Sequence, residues 1–189
     1  MRTARLLVAT AAAGLCGCAT VREVMPGAAR DILREPVSRQ TIRVALVLNK
    51  PSCAVKVTGP GTLYDREKRR AVQRFTVLAN STLAASSGSI TLNGRALGTT
   101  RLAIIPDLPQ TLWVNDTLYR GTLDVVAKGT AVTAVNSLGL EEYLLGVVPR
   151  ETFPSWPEAA LCAQAVACRS FAVYHIRHVG NNDYDVIAP

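Results

Sequence analysis

Residues 138–178 read LGLEEYLLGVVPRETFPSWPEAALCAQAVACRSFAVYHIRH. Two helical patterns flank a proline-punctuated break, and one carboxylate, Glu151, falls inside it. Leu140, Tyr143, Leu144 and Val147 recur at the spacing of a short helix, with Gly146 near its end. Pro149 and Pro154 then bracket Glu151. Each fixes its own φ and pushes the preceding residue away from helix, so a stiff loop is expected to aim the carboxylate. Loops held by rigid elements are favoured places for chemistry. The second helix has a start signal: Ser155 with Glu158 three residues on reads as a capping box, and Pro157 suits a first turn that needs no amide hydrogen. From Ala159 to Ile176 apolar residues occupy most faces, which predicts a buried alanine-rich helix. Gln164 and Arg169 interrupt it. A buried arginine needs a structural carboxylate, backbone oxygens, or the cleft that Glu151 faces.

Upstream the period changes to two. Ile42, Val44, Leu46 and Leu48 share one face, and Ala54 to Val57 resumes the alternation before a turn at Gly59-Pro60-Gly61. Further strands are expected at 74–78, 89–92, 101–105, 111–114, 117–126 and 131–136, with turns at Gly88, Asn93-Gly94, Pro106-Asp107 and Lys128-Gly129. Strands follow one another without intervening helices. The fold class is therefore α+β: a largely antiparallel β front half, then a short helix, a catalytic loop and the buried alanine-rich helix.

The chain begins MRTARLLVATAAAGLCGC. A basic start and an apolar run from Leu6 to Leu15, too short to span a bilayer, mark residues 1–18 as an export signal. Leu15-Cys16-Gly17-Cys18 has the form of a bacterial lipobox, which makes Cys18 the lipidated mature N-terminus; an ordinary secretory signal cut nearby is the alternative. Either leads out of the cytoplasm, and several acyl chains would hold the protein to a membrane. Residues 19–40, with Pro26, Gly27, Pro36 and mixed charges, read as a tether. Residues 41–189 are left as one domain, with no second segment expected to be long and apolar enough to cross a membrane. The formal charge of +7 includes Arg2 and Arg5, so processing leaves +5. A moderately basic exported domain suits an anionic envelope partner, whereas scattered arginines outside the cytoplasm argue against nucleic acid.

Of the five cysteines, Cys53, Cys162 and Cys168 remain after processing. Cys162 and Cys168, six apart on one helix, would have Cα atoms about 9 Å apart, too far for a disulfide. His175 and His178 are the only histidines, so buried thiols are favoured over zinc and no metal or other cofactor is expected. Asp65 to Arg70, reading DREKRR, is a charge run whose acids offset part of its basic character, and a solvated loop is favoured over a polymer site.

The run LEEYLLGVVPRE followed by SWPEAALCAQAVACRSFAVY resembles the signature of the stage II sporulation protein D family, also called the SpoIID/LytB or amidase-enhancer domain. There, a YL.GVV.PSE-like helix leads to a glutamate and then to an ALKAQAVAARTYA-like helix. Tyr119-Arg120-Gly121, with strands to Val135-Asn136, is similar to the family's YRG region. The resemblance covers roughly residues 42–189. Cys162, Cys168, Arg150 and Ser170-Phe171 depart from common family residues. A further family segment with a Q.Y.G-like motif is not matched before Pro189, so a domain truncated at its C-terminus is expected.

What the resemblance implies is work on peptidoglycan outside the membrane, either as a lytic transglycosylase acting on denuded glycan strands or as a non-catalytic binder that stimulates a cell-wall amidase. It places the catalytic glutamate at Glu151 and makes Gln164 and Arg169 candidate site supports. The chemistry suits one carboxylate: it protonates the glycosidic oxygen, then takes the proton of the muramyl C6 hydroxyl as the anhydro ring closes, so no second carboxylate is mandatory. The acid step calls for partial desolvation, and Phe153 and Trp156 are expected to supply an apolar wall. Trp156 and Tyr143 are candidates for stacking on sugar faces, with a structural role as the alternative for each.

Overall fold

The computed structural model describes residues 40–107, 111–179 and 183–188. The signal at 1–18, Cys18 and the tether up to residue 39 lie outside the described residues.

Thirteen strands and two helices follow in chain order: β1 (Thr41–Lys50), β2 (Ser52–Val57), β3 (Gly61–Asp65), β4 (Arg70–Phe75), β5 (Leu78–Ser86), β6 (Ser89–Leu92), β7 (Arg95–Ala96), β8 (Arg101–Pro106), β9 (Thr111–Val114), β10 (Thr117–Arg120), β11 (Thr122–Lys128), β12 (Ala131–Gly139), α1 (Leu140–Glu151), α2 (Glu158–Tyr174) and β13 (Val186–Ile187). A π-helical turn, His175–Val179, extends α2. The strands form a seven-stranded sheet in the order β13-β1-β12-β11-β8-β3-β4 and a six-stranded sheet in the order β10-β9-β2-β5-β6-β7. All pairings are antiparallel except β1 with β13. The α+β class with an antiparallel front half is what the structure shows.

Alternation explains the sandwich. Cys53, Val55 and Val57 point inward from β2, as do Leu112 and Val114 from β9, and they meet Leu63, Leu102, Ile104, Leu123, Val125, Val132 and Ala134 of the larger sheet in one buried cluster. Consecutive strands repeatedly change sheets: the chain crosses at Pro51, after Val57, after Phe75, after Ala96, after Pro106 and at Gly121. Four strands went unread in the sequence: β3, β5 and the two-residue strands β7 and β13. β3 is only five residues beside two glycines, and β5 is rich in Ser, Thr, Ala and Asn, so neither shows a strong apolar alternation. The expected strand at 74–78 instead spans the crossing between β4 and β5.

Asp65 to Arg70 is the β3–β4 hairpin turn rather than a free loop. Buried Asp65 accepts the backbone N–H groups of Glu67 and Lys68 (2.9 and 3.0 Å) and the Thr99 hydroxyl (2.9 Å). That acid organises the turn from within.

The Tyr119-Arg120-Gly121 segment is the corner at which the chain leaves the smaller sheet for the larger. Gly121 has φ +87°, and a Cβ there would lie 2.3 Å from the Ser137 carbonyl oxygen. Only glycine fits. Buried Asn136 donates through Nδ2 to the carbonyls of Arg120 (2.7 Å) and Thr122 (3.1 Å), on either side of that glycine.

A second, smaller core ties the helices to the outer part of the larger sheet: Ile42, Val44, Leu138, Leu140, Ala172, Val173 and Val186. β13 is pinned there by Asp185, whose carboxylate accepts from the Arg43 backbone N–H (2.9 Å) and from its guanidinium Nη2 (2.6 Å). That partnership holds the Arg43 guanidinium above its ordinary pKa against the opposing effect of burial. Asp183 similarly bridges Arg101 (2.8 Å) and Lys128 (2.7 Å).

Candidate active site at the helix pair

α1 starts at Leu140 with Glu141 and Glu142 in its first turn, where helix N–H groups favour negative charge. Glu142 reaches back to accept the Gly139 N–H at 3.3 Å. The helix does not stop before Pro149 but runs through it to Glu151. The expected loop around Glu151 is thus corrected: Glu151 is the last helical residue, and the connection is 152–157. Proline at 149 removes only the hydrogen bond to the Leu145 carbonyl, and Leu145 is exposed, so water can take that oxygen. Termination falls to Thr152. It is extended (φ −138°, ψ 162°), and its buried hydroxyl donates to the Val148 carbonyl at 2.8 Å. Pro154 then keeps Phe153 out of helix.

The Ser155–Glu158 capping box does not form. α2 begins at Glu158 with Pro157 as its N-cap, and the Pro157 carbonyl accepts from Ala160 and Leu161 (2.9 and 3.2 Å). Ser155 lies instead in a turn closed by the Trp156 N–H on the Phe153 carbonyl at 3.0 Å. The turn brings the two rings to a centroid separation of 6.1 Å at 57°.

α2 forms as the alanine pattern predicts, yet it is not the buried helix expected from that pattern. Only Ala172 and Val173 are buried, while Val166, Phe171 and Tyr174 are each more than half exposed. Apolar composition records what a helix can bury, and among the described residues only its C-terminal turns meet the sheet. The 21 residues Glu158–His178 are also long and apolar enough to cross a membrane by length and composition, contrary to the expectation of no such segment after the signal. α2 docks on α1 and its C-terminal turns join the small core, with Ala172 and Val173 buried. At its end Phe171 stacks on His175 (4.1 Å) and Tyr174 on His178 (5.1 Å).

Glu151 is exposed. So is Phe153, at 67%, and Trp156 at 41%; they stand beside the carboxylate in sequence without closing an apolar wall over it. Tyr143 is half-buried against the small core. Its hydroxyl is held above the ordinary tyrosine pKa, first by burial and then by the negative charges available to Cys168 and Glu151. Tyr143, Glu151 and Cys168 therefore share one electrostatic neighbourhood across α1 and α2. Gln164, one turn before Cys168, donates to its sulfur at 3.5 Å.

Arg169 is drawn elsewhere. Its guanidinium makes a two-pronged contact with Glu141, Nε to Oε1 at 3.1 Å and Nη2 to Oε2 at 2.6 Å, stapling α2 to the start of α1. Of the possibilities read from the sequence, the structural carboxylate is realised. Glu141, Thr152 and the Tyr143–Cys168 proximity were not singled out in the sequence. The Gln164–Cys168 spacing of four was legible; the Glu141 partnership, 28 residues apart, was not. Among the described residues no three His, Cys, Asp or Glu side chains converge to hold a metal ion. Cys53 and Cys168 are free thiols.

Residues 128–188 match the family described as Stage II sporulation protein (SpoIID), a span from the end of β11 through both helices to β13. An uncharacterized protein of Brachyspira hyodysenteriae is 30% identical over 139 residues, which is 74% of this chain and 37% of that protein. The chain thus spans little more than a third of that relative's length. No solved structure matches.

Proposed function

We propose, from the match of residues 128–188 to the SpoIID family, that this is an exported peptidoglycan lytic transglycosylase, held to a bacterial membrane through Cys18, in which Glu151 acts as acid and then as base. The observation that carries the reading is the placement of Glu151. It is an exposed carboxylate on the final turn of a helix that the second core fixes to the sheet, followed at once by an exposed aromatic pair. A glycan strand lying along Phe153 and Trp156 would exclude water from the carboxylate and supply the desolvation that the free protein lacks.

In the reaction, the Glu151 carboxyl gives its proton to the oxygen linking muramic acid to glucosamine, and that C–O bond breaks. The resulting carboxylate then takes the proton of the muramyl C6 hydroxyl as its oxygen closes on C1, which yields the anhydro end and restores the acid. Tyr143 and Gln164 line the neighbouring helix surface as candidate sugar contacts. Arg169 contributes by holding α2 against α1.

The test is digestion of denuded glycan strands, with mass spectrometry of the ends. Wild type should release anhydromuramyl termini, and Glu151→Gln should lower the rate by about 10²–10⁴-fold. Folded wild type that yields no such ends would overturn the enzyme reading. The alternative, a non-catalytic wall binder that stimulates an amidase, is favoured by one observation: Leu145, Phe153, Trp156, Val166 and Phe171 all leave apolar surface exposed on the helical segment. On that reading Glu151→Gln would stimulate a purified wall amidase as well as wild type does.

A further inference from the structure

The outer face of the six-stranded sheet carries a feature that the helical site does not use. On β9, Leu112 and Val114 face the core, so Thr111 and Trp113 face outward; on β10, Tyr119 packs inward and Leu118 and Arg120 face outward. Register sets three of these side by side: Lys56 pairs with Trp113, and Trp113 pairs with Leu118, on three adjacent strands. The Lys56 ammonium lies 4.9 Å from the centre of the Trp113 ring. Arg120 stands two residues along β10, opposite Thr111. Flanking positions are small, with Ala54 beside Lys56 and Thr111 beside Trp113, so the row forms a shelf about 10 Å across, two strand spacings wide.

Charge on this sheet is one-sided. Its strands contain Lys56, Arg95 and Arg120 and neither Asp nor Glu; the nearest acid in sequence is Asp116 in the β9–β10 turn. Every other acid of the described residues lies on the larger sheet, its turns or the C-terminal segment. Leu118, 52% exposed, stands beside the outward Trp113, and an aromatic plane with a cation over it and a second cation nearby fits a polymer that offers both flat C–H faces and carboxylates.

We propose that the Lys56–Trp113–Leu118 row with Arg120 is an accessory docking surface for a glycan strand that bears carboxylates, the muramyl lactyl groups left when stem peptides are removed. The identity of the polymer rests on the wall reading of the Glu151 site; the surface itself does not. Trp113 stacks on a sugar ring while Lys56 and Arg120 attract carboxylates on alternate sugars. A long strand is then held by the sandwich as well as by the helical segment.

The chain has two tryptophans, Trp113 and Trp156, so in a Trp156→Phe background Trp113 alone emits. Denuded glycan strands should protect its fluorescence from acrylamide, and neutral chitin oligomers should do so at least several-fold more weakly. Lys56→Gln combined with Arg120→Gln should weaken strand binding about tenfold, with the loss fading at high salt, and leave the cleavage of short fragments unchanged. Protection of Trp113 in a protein that releases no anhydro ends would support the surface while removing the enzyme reading. Emission that strands do not alter, equal protection by polyglutamate or polyuridylate, or binding indifferent to the double substitution would each overturn the proposal.

Discussion

Asn136→Ala tests whether the corner between the two sheets is held as the geometry indicates. Asn136 is 3% exposed and donates from one nitrogen to two carbonyls, Arg120 at 2.7 Å and Thr122 at 3.1 Å. Truncation leaves both oxygens without that donor. At about 1–2 kcal/mol for each lost partner, and with little cavity term for so small a group, the fold should lose roughly 2–4 kcal/mol. With a urea m-value near 2 kcal/mol per molar for a domain of this size, the unfolding midpoint should fall by about 1–2 M. Asn136→Asp sharpens the test because it keeps the shape while removing the donor. Near neutral pH the introduced carboxylate faces two carbonyl oxygens and should cost at least as much as alanine. On acidification the protonated carboxyl regains one donor, and the gap to wild type should narrow. Equilibrium unfolding followed by circular dichroism at two pH values measures both. A loss below about 0.5 kcal/mol for both variants would refute the claim that this side chain ties the crossing.

Gly121→Ala should cost at least about 2 kcal/mol, since it combines a positive φ with a Cβ 2.3 Å from the Ser137 oxygen; near-wild-type thermal unfolding would contradict the corner geometry. Burial pushes the Cys53 thiol up from 9.0 to about 11. The folded state therefore keeps this proton after the unfolded chain has released it, so the stability contributed is full below pH 9 and should decline as pH rises toward 11, by roughly 2–3 kcal/mol, a decline that Cys53→Ser should abolish in urea titrations. In native protein Cys168 should alkylate well before Cys53, and equal rates in mass-spectrometric mapping would contradict the burial of Cys53. Asp183 is held below its ordinary value of 3.8, first by Lys128 and also by Arg101, against the opposing effect of burial. Its contribution is present above that value and is lost as pH falls through the lower folded value, so Asp183→Asn should flatten acid unfolding below about pH 4.

The legible parts of this fold were those decided locally. The run Ile42 to Leu48 became β1, but a register shift after Ala45 breaks its alternation: Ile42, Val44, Ala45 and Val47 are buried while Leu46 and Leu48 are only partly so. Asn93-Gly94 became a hairpin turn because its residues adopt φ +51° and +80°, which asparagine and glycine tolerate. β3 and β5 were obscure because their place depends on partners about 20 to 45 residues away. At the site, Glu151 and the aromatic pair were found by position, but their setting was not. Pro149 looked like a helix terminator because propensity counts the lost hydrogen bond without asking whether its carbonyl can reach water. The alanine-rich helix looked buried because composition cannot state how much partner surface exists. Arg169 required knowledge of where α1 would lie.

The two halves of the molecule are held by different physics, and that bears on the site. The sandwich rests on many fully buried aliphatic side chains contributed by both sheets, a cooperative core without large polar content. The helical segment rests on a short cluster around Ala172 and Val173, on the Arg169–Glu141 staple, and on a terminal strand pinned by Asp183 and Asp185. Exposed pairs such as Arg169–Glu141 contribute at most about 1 kcal/mol, so local opening of this segment should cost less than global unfolding. Glu151 belongs to that less stable part. On the proposed reaction, a carboxylate desolvated by its substrate would gain from such a mounting: the sandwich fixes where α1 begins, while the less stable segment after it would be free to close around a sugar chain.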